Sequence, residues 1–158
     1  MENLDFKPVG IKLIIKHRKK GDKKGGGLMI GYKEDKKTVM EEIKVDNNDI
    51  LAIEGKIRGC KVRIILIYMD STKEKQGKDY NRNRKIQKQV EKLFEVEPDV
   101  SLICLGDLNG RLKKLEPNIE TDVNGLMIEK WIIDYNLNHL SQSEDCEGTY
   151  TFNSKQGL

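Results

Sequence analysis

A chain of 158 residues is long enough for one domain with a real core, and 37% apolar against 35% charged residues at formal charge +3 is polar without reaching a disordered composition. No apolar run approaches the roughly 20 residues that span a bilayer, and no hydrophobic segment follows the initial Met, so no membrane partner and an intracellular site, nuclear or cytoplasmic, are expected. Cys60, Cys104 and Cys146 are odd in number and widely spaced, with no C-x-x-C pair, which points to reduced thiols rather than a disulfide framework or a zinc site.

Met1 to Gly10 carry little pattern. Ile11, Leu13 and Ile15 alternate with Lys12, Ile14 and Lys16 and read as a short strand. The basic stretch from His17 to Lys24 reads first as a solvated turn; contact with nucleic-acid phosphates and a localisation signal are its alternatives. Gly25-Gly26-Gly27 precedes Leu28 to Tyr32 with no Lys-Ser/Thr after it, so the glycines suit entry into a strand that another backbone approaches closely, not a nucleotide loop. Strands are expected at Thr38 to Val45, Ile50 to Ile57 and Lys61 to Tyr68. The short turns between them, Asp46 to Asp49 and Arg58-Gly59, make them antiparallel neighbours. In the last of these, Val62, Ile64, Leu66 and Tyr68 share one face and Ile65, Ile67 and Met69 the other, as in a central strand covered on both sides.

After a polar connection, Tyr80 to Val96 has a helical period with Ile86, Val90, Leu93 and Phe94 on one stripe, and Arg82, Arg84, Lys85 and Lys88 on what reads as a solvated face. Pro98-Asp99 ends it. The apolar run Val100 to Leu105 then reads as a strand buried on both faces, stopping at Gly106-Asp107-Leu108-Asn109-Gly110. If the chain stays extended past Gly106, the period of two aims Asp107 and Asn109 to one side. A carboxylate there can orient a water or bind a cation, and an amide NH2 can donate to a phosphoryl oxygen; the alternative is plain turn composition. A loop to Asn124 leads to a second amphipathic helix, Gly125 to Asn136, with Ile128, Trp131, Ile132 and Tyr135 on one face. Short strands are expected at Leu137 to Leu140 and Thr149 to Phe152. With no repeat or dividing linker, residues 1–158 read as a single domain.

Taken in order, the Gly-rich strand, the hairpin pair, the central strand ending Ile67-Tyr68, the helix, Gly106-Asp107-Leu108-Asn109-Gly110-Arg111, Asp122-Val123-Asn124-Gly125 opening a helix, and Tyr150-Thr151-Phe152 resemble the endonuclease/exonuclease/phosphatase (DNase I-like) superfamily. The likeness is closest to the endonuclease domain of non-LTR retrotransposon polyproteins. It implies an α+β fold, a layered sandwich of mainly antiparallel β-sheets flanked by helices. It also implies a phosphodiesterase dependent on Mg2+ (or Mn2+) that nicks DNA. By the same resemblance Asp107 orients the attacking water and ligates the metal, Asn109 binds the scissile phosphate, and Tyr68 is a further phosphate contact. Met69-Asp70-Ser71 follow Tyr68 where the family often has prolines. Thr151 and Phe152 correspond to the loop bordering the nucleic-acid groove, and Arg111 joins them as a substrate-binding residue. The family's upstream metal-binding glutamate and downstream Ser-Asp-His have no counterpart here, and His17 and His139 stand in no such motif. A domain incomplete at both ends is therefore expected: a truncated gene model, a decayed element copy, or part of a polyprotein with a downstream reverse-transcriptase region. Little or no activity is expected of it on its own. A catalytically silent nucleic-acid-binding remnant, and the same fold acting on another phosphoester, are the competing readings.

Overall fold

Residues 9–17, 26–71, 77–113 and 120–140 are described by the computed structural model. Strands β1 (Ile11–His17) and β2 (Gly27–Lys33) form an antiparallel hairpin. Strands β3 (Thr38–Ile43), β4 (Ile50–Ile57), β5 (Cys60–Tyr68) and β6 (Val100–Asp107) form a four-stranded sheet in that order. Helices α1 (Gly77–Phe94) and α2 (Val123–Asp134) complete a mixed α+β architecture. The β4–β5 turn is two residues, Arg58 and Gly59, with φ of 51° and 92°, the doubly left-handed geometry that matches the twist of a tight hairpin. Pairing is antiparallel within the hairpin and from β3 to β5, as expected, but β5 and β6 run parallel. The physical reason is α1, which carries the chain back to the starting edge before β6 begins.

One face of the sheet is covered by the helices. Ile50, Ala52, Ile65, Ile67 and Met69 meet Ile86, Val90 and Phe94 of α1 and Met127, Ile128 and Trp131 of α2 in one buried cluster. Burying each large apolar side chain in this way contributes about 1.5–3 kcal/mol, so this layer dominates the stability. Phe94 sets its edge against Trp131 at 5.5 Å and against Tyr135 at 4.9 Å, tying the ends of the two helices together.

The other face is covered by the hairpin. Leu28 and Ile30 of β2 pack with Met40, Leu51, Ile53 and Val62, while Ile64, Leu66 and Tyr68 lie partly buried at the margin. Tyr32 donates its hydroxyl to the Met40 carbonyl at 3.3 Å, and Lys16 Nζ donates to the Val45 carbonyl at 2.6 Å. Partial burial there lowers the pKa of Lys16, against the pull of Glu42 and Asp46.

Strand β6 departs from the expected double burial. Leu102 and Cys104 pack on the helix side, but Ile103 and Leu105 on the opposite side are 40% and 41% exposed. Among the described residues the strand lies at the edge of the sheet, and the hairpin packs mainly over β4 and β5. Residues 137–140 form no strand either: the chain leaves α2 through Asn136 at φ 50° and continues irregularly. Among the described residues no helix is long and apolar enough to cross a membrane.

Candidate functional site

The C-terminal ends of the parallel pair β5 and β6 bring the expected residues together. Tyr68 and Asp107 are register partners, so they share a face, the one toward the hairpin. The Tyr68 ring is half-buried against the hairpin-side cluster, whereas Asp107 is exposed. Just before it, Gly106 has φ 136°, and a Cβ there would collide with the Ile67 carbonyl, so this close approach of β6 to β5 requires glycine. The ladder closes with the Met69 N–H donating to the Asp107 carbonyl at 2.9 Å.

Beyond Asp107 the extended chain assumed from the sequence is not found. Asn109 is left-handed at φ 44°, a conformation its short polar side chain tolerates. Its N–H donates to Asp107 Oδ1 at 3.3 Å, a turn closed by the aspartate itself. Its side-chain NH2 donates to the Met69 carbonyl at 2.8 Å. The amide group expected to face a phosphate therefore has a main-chain acceptor, while Asp107 stands at the surface beside it.

Two asparagines to which the sequence assigned no role, Asn124 appearing only within Asp122-Val123-Asn124-Gly125, join the same loops. Asn83 of α1 and Asn124 of α2 are both fully buried. Asn83 Oδ1 accepts from the Asp70 N–H at 3.0 Å, and its Nδ2 donates to the Asp70 carbonyl at 2.7 Å and to Asn124 Oδ1 at 3.0 Å. Asn124 Nδ2 in turn reaches the carbonyls of Asp70, Asn109 and Leu108 at 2.9, 3.0 and 3.2 Å, so its two hydrogens are shared among three acceptors. The pair binds the main chain after β5 to the main chain after β6. A signal for them did exist. Asn83 precedes Ile86 and Val90 by three and seven positions, and Asn124 stands the same way before Met127 and Trp131, so each is a polar residue heading an apolar stripe.

Arg82, expected on a solvated face, is instead drawn inward. Its Nε and Nη2 contact Asp49 Oδ2 at 2.8 and 2.6 Å, and its Nη1 lies 3.2 Å from Asp70 Oδ2. Both carboxylates are buried, and an unpaired buried carboxylate is costly, which is what holds the guanidinium against the strand ends. Arg84, Lys85 and Lys88 remain exposed, as expected. Arg111 is exposed, with its backbone fixed: its N–H donates to Asp122 Oδ1 at 3.1 Å, and that same oxygen caps α2 by accepting from Gly125 N–H at 2.7 Å. Thr151 and Phe152 lie outside the described residues. Burial pushes the Cys104 thiol up to about 12, away from any nucleophilic role.

Mg2+ (or Mn2+) takes oxygen ligands, commonly one or two carboxylates completed by waters and phosphate. Among the described residues no three His, Cys, Asp or Glu side chains gather as a ligand set, and the Asp49 and Asp70 carboxylates face Arg82. No family model matches the chain, and neither a curated protein nor a solved structure was found to match it.

Proposed function

We propose that this chain is a phosphodiesterase module of the DNA-nicking endonuclease type, acting on DNA through the polar end of β5 and β6 and weak on its own. The observation that supports it most is the pairing of Tyr68 with Asp107 at the ends of two adjacent parallel strands, on one face, with Asn109 in the turn that Asp107 closes. Ligands of open sheets bind outside the carboxyl ends of parallel strands, where loops diverge and polar groups can converge. In this reading the exposed Asp107 orients a water toward phosphorus, Tyr68 borders the phosphate, and Arg111 meets the backbone of the nucleic acid. Each electrostatic partner missing from such a site costs on the order of a hundred- to thousand-fold in rate.

The commitment of the Asn109 NH2 to the Met69 carbonyl favours a second reading, a silent DNA-binding remnant. Nicking of supercoiled plasmid with the chain in excess, in Mg2+ and in Mn2+, separates the two. Slow nicking that disappears in Asp107→Ala is the result expected of the phosphodiesterase. Equal rates for both chains, or none above buffer, overturn it and leave the remnant.

A further inference from the structure

We infer that Asn83 and Asn124 are positioning residues for the Asp107–Asn109 turn, a buried amide clamp that fixes the loop after β6 to the loop after β5. The inference rests on the phosphodiesterase reading for its chemical consequence and on the hydrogen bonds alone for its geometry.

The turn does not hold itself. Asn109 is left-handed and its one contact with Asp107 is a 3.3 Å bond to an exposed carboxylate, which water competes for. Holding a non-glycine residue in a sparsely populated conformation requires support from the surroundings. Among the described residues much of that support is main-chain binding by amides. Asn124 Nδ2 binds the carbonyls of Leu108 and Asn109, the residues immediately after Asp107, and Asn109 Nδ2 binds the carbonyl of Met69, the residue immediately after Tyr68. Asn83 then holds both the N–H and the carbonyl of Asp70 and, through Asn124 Oδ1, fixes which way round the second amide lies. Asn83 is on α1 and Asn124 on α2, each on the helix-covered side, so neither reaches the exposed Asp107 carboxylate. They act through the backbone.

Amide groups suit this position better than charged ones. Each asparagine offers two donors and an acceptor without a net charge, so it can satisfy several loop carbonyls in a site that excludes water. An alanine at 124 would take the side-chain donor from the Leu108 and Asn109 carbonyls, and an alanine at 83 would remove the acceptor of the Asp70 N–H and the contact that orients Asn124; either change would free the turn to move. A displacement of about 1 Å at a reacting group costs on the order of a hundred-fold in rate.

The test uses the full chain labelled with 15N, with Asn124→Ala and Asn83→Ala as variants. Expected are changed or doubled amide signals at residues 69–70 and 108–110, with those of β4 unmoved. Asp107-dependent nicking with the chain in excess should fall about a hundred-fold in rate constant, while the DNA dissociation constant stays within about twofold. A purely structural role would lower the amplitude through a smaller folded fraction and leave the rate constant alone. Unmoved signals at 108–110 in a folded variant overturn the clamp. Moved signals in a chain with no Asp107-dependent nicking support the clamp and reject the phosphodiesterase reading. If both variants unfold, the unaltered chain still decides: the side-chain NH2 groups of Asn83 and Asn124 should exchange with solvent about a hundred-fold more slowly than that of exposed Asn81, and equal rates would overturn the clamp.

Discussion

The two faces of the four-stranded sheet are built from the same kinds of residue and finished differently. Toward the helices, apolar side chains from β4 and β5 are sealed by α1 and α2, and the layer ends in the Asn83–Asn124 pair at the strand termini. Toward the hairpin, cover extends over β4 and β5 and then stops, so that Ile103 and Leu105 of β6 lead, half-open, to Asp107. Rigidity is concentrated on one side of the strand ends and access on the other. A site needs both: side chains held from behind by a dry layer, and a front that substrate can reach.

Substitutions can break this contrast, and the largest effect belongs to the helix face. Trp131→Ala should cost about 3–5 kcal/mol in denaturant unfolding, because it removes the largest buried side chain and the partner of Phe94. A loss below about 1 kcal/mol would mean that the helices do not carry this layer. Arg82→Met should cost about 3 kcal/mol at neutral pH, by removing the guanidinium that bridges the buried Asp49 and Asp70. The readout is the urea midpoint at unchanged slope.

Cys104 gives the contrast a pH dependence. Its folded pKa is raised by burial from 9.0 to about 12, so above pH 9 the unfolded chain releases the thiol proton while the folded chain keeps it. Stability from this group is complete below pH 9 and declines as pH rises from there toward 12, by about 1 kcal/mol between pH 8.5 and 10. Unfolding of the unaltered chain against Cys104→Ala over that range should show the difference shrinking; a constant difference would place the thiol in water. The smallest effect is expected at the open edge. Ile103→Val should cost a few tenths of a kcal/mol and Ile53→Val, under the hairpin, about 1 kcal/mol. Equal costs at both would show that something covers β6 as fully as it covers β4.

Most of this fold is legible in the sequence because periodicity survives burial. The boundaries of β4 are those the flanking turn residues mark, the two faces of β5 divide as Val62, Ile64, Leu66 against Ile65, Ile67, Met69, and the stripes of both helices face the core. What periodicity does not carry is what lies opposite. Val100 to Leu105 has the composition of a doubly covered strand, yet its cover depends on how far the hairpin reaches, a tertiary fact. Residues 137–140, Leu-Asn-His-Leu, place their two apolar side chains three apart rather than in alternation, and they form no strand. At the site, the register of Tyr68 with Asp107 fits the expected grouping, while the side-chain direction of Asn109 does not, since a single left-handed residue breaks the period of two on which the expectation rests. Arg82 was hidden for a related reason: its partners, Asp49 and Asp70, come from loops far apart in sequence, and helical spacing alone assigned it to solvent.

The most direct test of the site is a titration of the 15N-labelled chain with a short duplex DNA at low salt. Shifts concentrated at Tyr68, Asp107, Asn109 and Arg111, and weakening steeply as salt is added, are the expected result. Shifts confined to Arg84, Lys85 and Lys88 on the outer face of α1, with the ends of β5 and β6 silent, would contradict it.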